Sequence, residues 1–277
     1  MTTGKTILIT GCSSGIGYAT ACELHKRGHR VICSARKPAD VSRLQTEGFS
    51  CIQLDLADSD SIRLAVTELL EVTGGQIDAV FNNGAYGQPG AVEDLNREVL
   101  RNQFETNFFG AHELTNLLIP VMRKQGYGRI IYNSSILGFV AMKYRGAYNA
   151  SKFALEGLAD TLRLELRGSG IHVILIEPGP ITSNFRQNAM QMYRKNIDSG
   201  NSFHRHTYRS MEARLEKPGP AAPFTLPATA VAAKVVHALE SAYPKTRYPV
   251  TFPTYLFAFL KRVLPTRWLD GILVNVE

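Results

Sequence analysis

The chain has 277 residues, 44% of them hydrophobic and 20% charged, which suits one large α/β domain or two small ones. Its formal net charge of +7 points to an anionic partner, whether a phosphate-bearing cofactor, nucleic acid or a membrane surface. No run of five like charges occurs, which excludes a polybasic tail, and no stretch of ~20 apolar residues occurs, which excludes a spanning helix.

The chain is expected to enter its first strand, residues 6–10, without a preceding signal peptide. A turn containing Gly11, Ser13, Ser14, Gly15, Ile16 and Gly17 follows at once, then a helical pattern to Gly28. Strand, glycine turn and helix form the setting a phosphate-binding turn requires, because the glycines let a pyrophosphate reach N–H groups at a helix start. The spacing is G-x-x-x-G-x-G rather than the commoner G-x-G-x-x-G. Residues 30–35 read as the second strand, with Arg36 at its end. In a doubly wound sheet that edge faces an adenine ribose, where an acidic residue would accept bonds from a 2′-hydroxyl. Arg36 can instead pair with a 2′-phosphate, so NADP(H) is expected over NAD(H).

A third strand over 51–56 carries Asp55 and Leu56, and Asp58 opens a helix to residue 73 with an acidic first turn. The fourth strand, 77–81, runs into Asn82, Asn83, Gly84 and Ala85, a turn of residues that tolerate left-handed backbone. A helical pattern over 96–124 contains Asn107, a poor helix former that signals a kink or a specific hydrogen bond. The fifth strand is 129–134, and Ser135 stands just past its C-terminal end, where open parallel sheets bind ligands.

Residues 146–167 read as a helix, with Ala150, Ala154, Leu155, Leu158 and Leu162 at helical spacing. Tyr148 and Lys152 fall one turn apart on one face. An ammonium beside a phenol favours the phenolate, lowering a pKa of about 10 and making a usable acid/base. A tyrosine and lysine four apart are also common on solvated helices, so the pair draws its weight from the surrounding strands and turns. The sixth strand, 171–177, is stopped by Pro178, Gly179 and Pro180, with Ile181 and Thr182 beyond. Near-continuous apolar strands of this kind are buried parallel strands.

Residues 183–226 mix methionines and aromatics with arginines and read as a helical flap over the site. His204 and His206 within it lack a third ligand, so no metal is expected. A helix over 227–242 begins with Pro227, and a last strand covers 247–251. The tail, 252–277, is apolar and then basic; it fits core or dimer packing, a lip on the substrate pocket, or peripheral membrane contact. Cys12, Cys22, Cys33 and Cys51 form no C-x-x-C pair, and reduced thiols in a cytoplasmic protein are expected. No basic patch with interleaved aromatics points to a nucleic-acid partner.

Thr10-Gly11 with Gly15 and Gly17, Asp55, Asn82-Asn83, Asn107, Ser135 thirteen residues before Tyr148, Lys152, and Pro178-Gly179 occur in that order. In this the chain resembles the short-chain dehydrogenases/reductases over nearly its whole length. Flap and tail are similar to those of retinol- and hydroxysteroid-type members and of bacterial NADP-dependent aldehyde reductase-like members. The resemblance implies a single-domain, doubly wound Rossmann fold. Its parallel seven-stranded sheet would run 3-2-1-4-5-6-7, with helices on both faces and a helical substrate flap.

The resemblance also implies an NADP(H)-dependent enzyme acting on a small-molecule carbonyl or alcohol, assembled as a homodimer or homotetramer. Asn107, Ser135, Tyr148 and Lys152 would be catalytic, and Ser135 and Tyr148 would meet substrate. Lys152 would lower the Tyr148 pKa and Asn107 would position a water. Cofactor contacts would come from Gly11, Ser13, Ser14, Gly15, Ile16, Gly17, Arg36, Asp55, Leu56, Asn82, Gly84, Asn107, Tyr148, Lys152, Pro178, Gly179, Ile181 and Thr182. The family's usual Asn-Asn-Ala-Gly stands here as Asn82-Asn83-Gly84-Ala85, a change on the adenosine side. A non-catalytic NADP(H) sensor or scaffold is the alternative, against which four filled catalytic positions weigh.

Overall fold

In a computed structural model the described residues are 4–220 and 222–276. Met1–Thr3, on which the signal-peptide reading falls, Ala221 in the flap and Glu277 in the tail lie outside them. Strand β1 (Thr6–Ile9) leads into α1 (Gly15–Lys26), β2 (Arg30–Ala35) into α2 (Pro38–Thr46), and β3 (Ser50–Gln53) into α3 (Ser59–Thr73). Next come β4 (Ala79–Asn82), α4 (Arg97–Phe104), α5 (Gly110–Gln125), β5 (Gly128–Asn133), α6 (Gly146–Glu165) and β6 (Ile171–Glu177). The short β7 (Ile181–Thr182) precedes α7 (Phe185–Asn196) and α8 (Arg205–Glu216). The remainder is β8 (Leu226–Pro227), α9 (Ala228–Glu240), β9 (Arg247–Pro249), α10 (Phe252–Val263) and α11 (Thr266–Leu273).

Seven strands form one sheet in the order β3-β2-β1-β4-β5-β6-β9, each adjacent pair parallel. This is the expected order, with β9 as the seventh strand because β7 and β8 pair only with each other. Alternation along the strands builds two cores. Ile7 and Ile9 face α1, α2 and α9 through Ala21, Leu24, Leu44, Val231 and Val235. Leu8 faces the other layer, with Ile62, Leu69, Leu114, Leu118 and Leu155 from α3, α5 and α6. Each such leucine, isoleucine or valine stabilises the fold by about 1.5–3 kcal/mol through burial. The chain winds outward from β1 to β3 and returns to β4 on the other side of β1. That reversal opens a crevice between the turns after β1 and β4.

Local chemistry sets the element ends. Asp58 caps α3 by accepting from the Asp60 and Ser61 N–H groups at 2.9 and 3.4 Å. β3 stops at Gln53, so Asp55 and Leu56 lie beyond the strand rather than in it. Pro227 is the N-cap of α9, not its first residue. The long helix expected over 96–124 is broken by a π-helical turn, Glu105–Phe109, with Asn107 at its centre. All four cysteines are unpaired thiols, three of them buried.

Candidate active site

The turns after β1 and β4 are tied to each other. Gly11 has φ 72°, and a Cβ there would lie 2.9 Å from Gly84 Cα. A Cβ on Gly17 would lie 2.3 Å from Gly11 O, so α1 meets the turn at a distance only glycine allows. Thr10 Oγ1 accepts from the N–H groups of Asn83 and Gly84 at 2.9 and 2.8 Å, and Asn83 Nδ2 donates to Thr10 O at 2.8 Å. Gly84 does not adopt positive φ. Glycine there leaves room for the Leu56 side chain, whose Cδ1 would lie 2.8 Å from a Cβ and would have to move aside. The Gly84-Ala85 order therefore accommodates Leu56 and requires no unusual backbone.

These turns can hold a dinucleotide. Ser14 begins α1 without a side-chain cap, so the first N–H groups of the helix are free to meet a pyrophosphate beside Gly15. Arg36 is exposed at the end of β2, where Gln53 Nε2 donates to its carbonyl at 3.2 Å. Arg43, not picked out from the sequence, reaches back from α2 to Ser13 O at 2.7 Å. Asn82 turns inward: its Nδ2 donates to Thr115 Oγ1 at 3.0 Å, so only its backbone faces the crevice side of the turn.

A hydrogen-bonded line runs from this crevice to the lysine. Asn133 Nδ2 donates to Asn83 Oδ1 at 2.9 Å, and Lys152 Nζ donates to Asn133 O at 2.6 Å. Asn133 and Asn83 were missed as site residues because their roles need three strands side by side. Ser135 begins a 3-10 turn, Ile136–Gly138, and its Oγ accepts from Leu137 N at 3.1 Å. The Ser135 hydroxyl donates to Pro178 O at 3.4 Å, which joins the ends of β5 and β6. Asn107 is fully engaged: Oδ1 accepts from Tyr86 N at 3.0 Å, and Nδ2 donates to Tyr86 O at 2.8 Å and Ser151 Oγ at 3.3 Å.

Tyr148 and Lys152 do share a face of α6, with Nζ 5.7 Å from the centre of the Tyr148 ring. Burial, not the neighbouring ammonium, dominates the electrostatics of the pair. Burial pushes the Tyr148 phenol up to about 12; the Ser135 hydroxyl and the Arg145 guanidinium pull the other way without overcoming it. Burial likewise brings Lys152 down to about 8, opposed by the Glu156 carboxylate. The ammonium is spent on Asn133 O rather than on the phenol. Phe185, the first residue of α7, roofs the ring edge-on at 5.3 Å. A Cβ on Gly87 would meet that phenylalanine at 2.8 Å, so the roof is tightly seated. A separate cleft of about 380 Å³ between α7 and α8, lined by Ser183, Arg186 and Met190 among others, includes none of Ser135, Tyr148 and Lys152.

Behind Lys152, one turn on, Glu156 joins a carboxylate cluster around Arg247. The guanidinium bonds Glu156, Glu177 at 2.5 Å and Asp160 at 2.7 Å. Burial and the neighbouring Glu156 push Glu177 up to about 7, and burial raises Glu156 as well. Arg247→Met strands two buried carboxylates and is expected to cost on the order of 3 kcal/mol at neutral pH. Raised carboxyl pKa values mean that the native state holds extra protons. Without the guanidinium these pKa values rise further, so the loss is largest above about pH 8 and shrinks as pH falls to about 7, where Glu177 takes up its proton in both proteins. Urea melts of both proteins across that range check it; a loss independent of pH would contradict the charge argument.

The family whose model matches the chain is short chain dehydrogenase, over residues 5–194. The oxidoreductase YbbO of Escherichia coli K12 is 44% identical over 269 residues, covering 97% of this chain and 94% of that protein. An NADPH-dependent 3-dehydrocapnine reductase of Ornithobacterium rhinotracheale is 31% identical, covering 96% and 94%. The crystal structure of a short-chain dehydrogenase from Streptomyces avermitilis superposes with a TM-score of 0.77 at 27% identity, covering 98% and 94%.

Proposed function

The chain belongs to the short-chain dehydrogenase family, an oxidoreductase of CH–OH groups, and from that premise we propose that it reduces a fairly apolar aldehyde or ketone with NADPH. The observation that carries this reading is the gathering of Ser135, Tyr148 and Lys152 at the C-terminal sheet edge, joined through Asn133 and Asn83 to the glycine turn. Arg36 supports the choice of NADP(H), and the NADPH dependence in the name of the 3-dehydrocapnine reductase agrees with it.

Gly11, Ser13, Ser14, Gly15, Ile16 and Gly17 would hold the pyrophosphate. Asp55, Leu56, Asn82 and Gly84 would wall the adenosine, and Pro178, Gly179, Ile181 and Thr182 the nicotinamide end. Bound there, a reduced nicotinamide supplies the hydride. Tyr148 gives its phenolic proton to the carbonyl oxygen as charge develops on it. Ser135 turns its hydroxyl from Pro178 O towards the same oxygen and stabilises that charge. Lys152 holds positive charge under the tyrosine and ribose hydroxyl groups beside it. The Asn107 side chain is engaged by Tyr86 and Ser151, so water leading protons to Lys152 falls to the backbone of the π turn. Phe185 and the methionines of 183–226 make the flap an apolar cover. A homodimer or homotetramer and a cytoplasmic location, the latter on the four free thiols, belong to the same reading.

NADPH oxidation with straight-chain aldehydes, retinoids and steroids tests the proposal. For the aldehydes, kcat/KM is expected to rise roughly fourfold per added methylene, from about 0.8 kcal/mol of burial each. A cofactor-bound protein inert to every compound would favour the sensor reading. A pH profile adds a sharper check, since kcat/KM reports groups of the free enzyme. Lys152 is charged below about 8 and neutral above it. The phenol keeps its proton to about 12. Reductive kcat/KM is therefore expected to fall as pH rises through about 8, with no further limb from Tyr148 in the neutral range. A flat profile to pH 9.5, about a unit and a half past that point, would remove Lys152 from the chemistry.

A further inference from the structure

Helix α10 is apolar on two sides. Its inner side, with Phe257, packs with Leu269 and Leu273 of α11 against Ile136, Leu137 and Val140. Phe252, Tyr255, Leu256, Phe259 and Val263 recur at helical spacing on another side, and all five are exposed, Phe259 by 62%. This stripe does not end with the helix. Phe224, in the loop before β8, is 61% exposed and lies with its ring 5.0 Å from that of Phe252. Phe224 has φ 60°, a left-handed conformation that disfavours a side chain. The strained turn thus sets an aromatic ring in solvent as a continuation of the stripe. On α11, Trp268 and Ile272 are exposed one turn apart.

The charges around these side chains are mostly cationic. Residues 250–277 carry Lys261, Arg262 and Arg267 against Asp270 and Glu277, and among the described residues of α10 and α11 Asp270 is the one carboxylate. Exposed aromatics beside cations, on helices whose other side is docked to a folded domain, match the physical needs of a surface lying in a lipid headgroup layer. A second copy of this stripe would bring the same excess of cations and not the anions they lack. We propose that α10, α11 and the Phe224 turn form a surface that docks on an anionic lipid bilayer. The rings enter the acyl boundary while Arg262 and Arg267 meet the headgroup phosphates, with Lys261 seated over the Phe153 ring beside them. This interaction is independent of the reaction proposed above and needs no substrate.

The test uses the full chain and vesicles of phosphatidylcholine with and without phosphatidylglycerol. The protein is expected to sediment with the anionic vesicles, and emission from Trp268, the sole tryptophan, to shift to the blue. Leu256→Ser with Phe259→Ser should weaken partitioning at least roughly tenfold, since both side chains lose apolar area. Arg262→Glu with Arg267→Glu should weaken it by about tenfold and abolish the preference for phosphatidylglycerol. All four positions are exposed, so both variants keep the wild-type melting curve. Failure of the wild type to sediment, an unshifted tryptophan, or variants that partition like wild type would overturn the proposal. So would sedimentation velocity showing that the serine variant splits an oligomer, because the stripe would then be a subunit contact.

Discussion

Tyr148→Phe is expected to lower reductive kcat by about 10³- to 10⁴-fold while NADPH affinity stays within roughly twofold. The substitution removes one oxygen and leaves the ring, so the edge-on contact with Phe185 at 5.3 Å and the packing against the Phe257 cluster persist. The glycine turn and the Asn83–Asn133–Lys152 line are untouched. Binding and chemistry therefore separate in this variant. Stopped-flow NADPH oxidation with a good aldehyde, alongside a fluorescence titration of the nucleotide, measures both. A variant turning over near the wild-type rate would mean that another group or a water delivers the proton. The raised phenol has a directional consequence. A group held up to about 12 is protonated throughout the neutral range, the state a donor needs and the wrong state for accepting a proton from an alcohol. That protonation state agrees with the reductive direction proposed above.

How far the sequence reaches is clearest at this same pair. The i, i+4 spacing correctly put Tyr148 and Lys152 on one face of a helix, because that geometry is local. What the spacing could not supply was the destination of the ammonium, the carbonyl of Asn133, nineteen residues away. Nor could it supply Arg145 as the cation bearing on the phenol, or Glu156 as the carboxylate bearing on Lys152. Strands 30–35 and 171–177 were legible to the residue because an apolar run ended in Gly, Pro or a charge at each side. The Arg247 cluster was not, because it draws on α6, β6 and β9, which only the folded sheet brings together. Asn107 lies between these cases. A poor helix former inside a helical pattern announced an irregularity, and the structure makes it a π turn with the side chain clasping Tyr86.

Arg36→Asp is expected to turn the NADPH-over-NADH ratio of kcat/KM by at least about a hundredfold, the combined loss of a charge-assisted bond of about 1.5–3 kcal/mol and the repulsion of a phosphate by a carboxylate. The backbone around the change is held independently, since Gln53 Nε2 bonds the carbonyl of residue 36 whatever its side chain. Aspartate at a strand end can in addition accept from ribose hydroxyls, so NADH turnover should rise as NADPH turnover falls. Two controls distinguish recognition from general electrostatics. Arg36→Gln should lose the preference without gaining NADH activity, because glutamine neither pairs with the phosphate nor repels it. Arg43→Gln should weaken both nucleotides alike, because Arg43 acts through Ser13 O on the turn they share. An unchanged ratio in Arg36→Asp would take the 2′-phosphate away from the end of β2. Equal losses in the Arg36 and Arg43 variants would leave only a diffuse attraction of the basic edge for any dinucleotide.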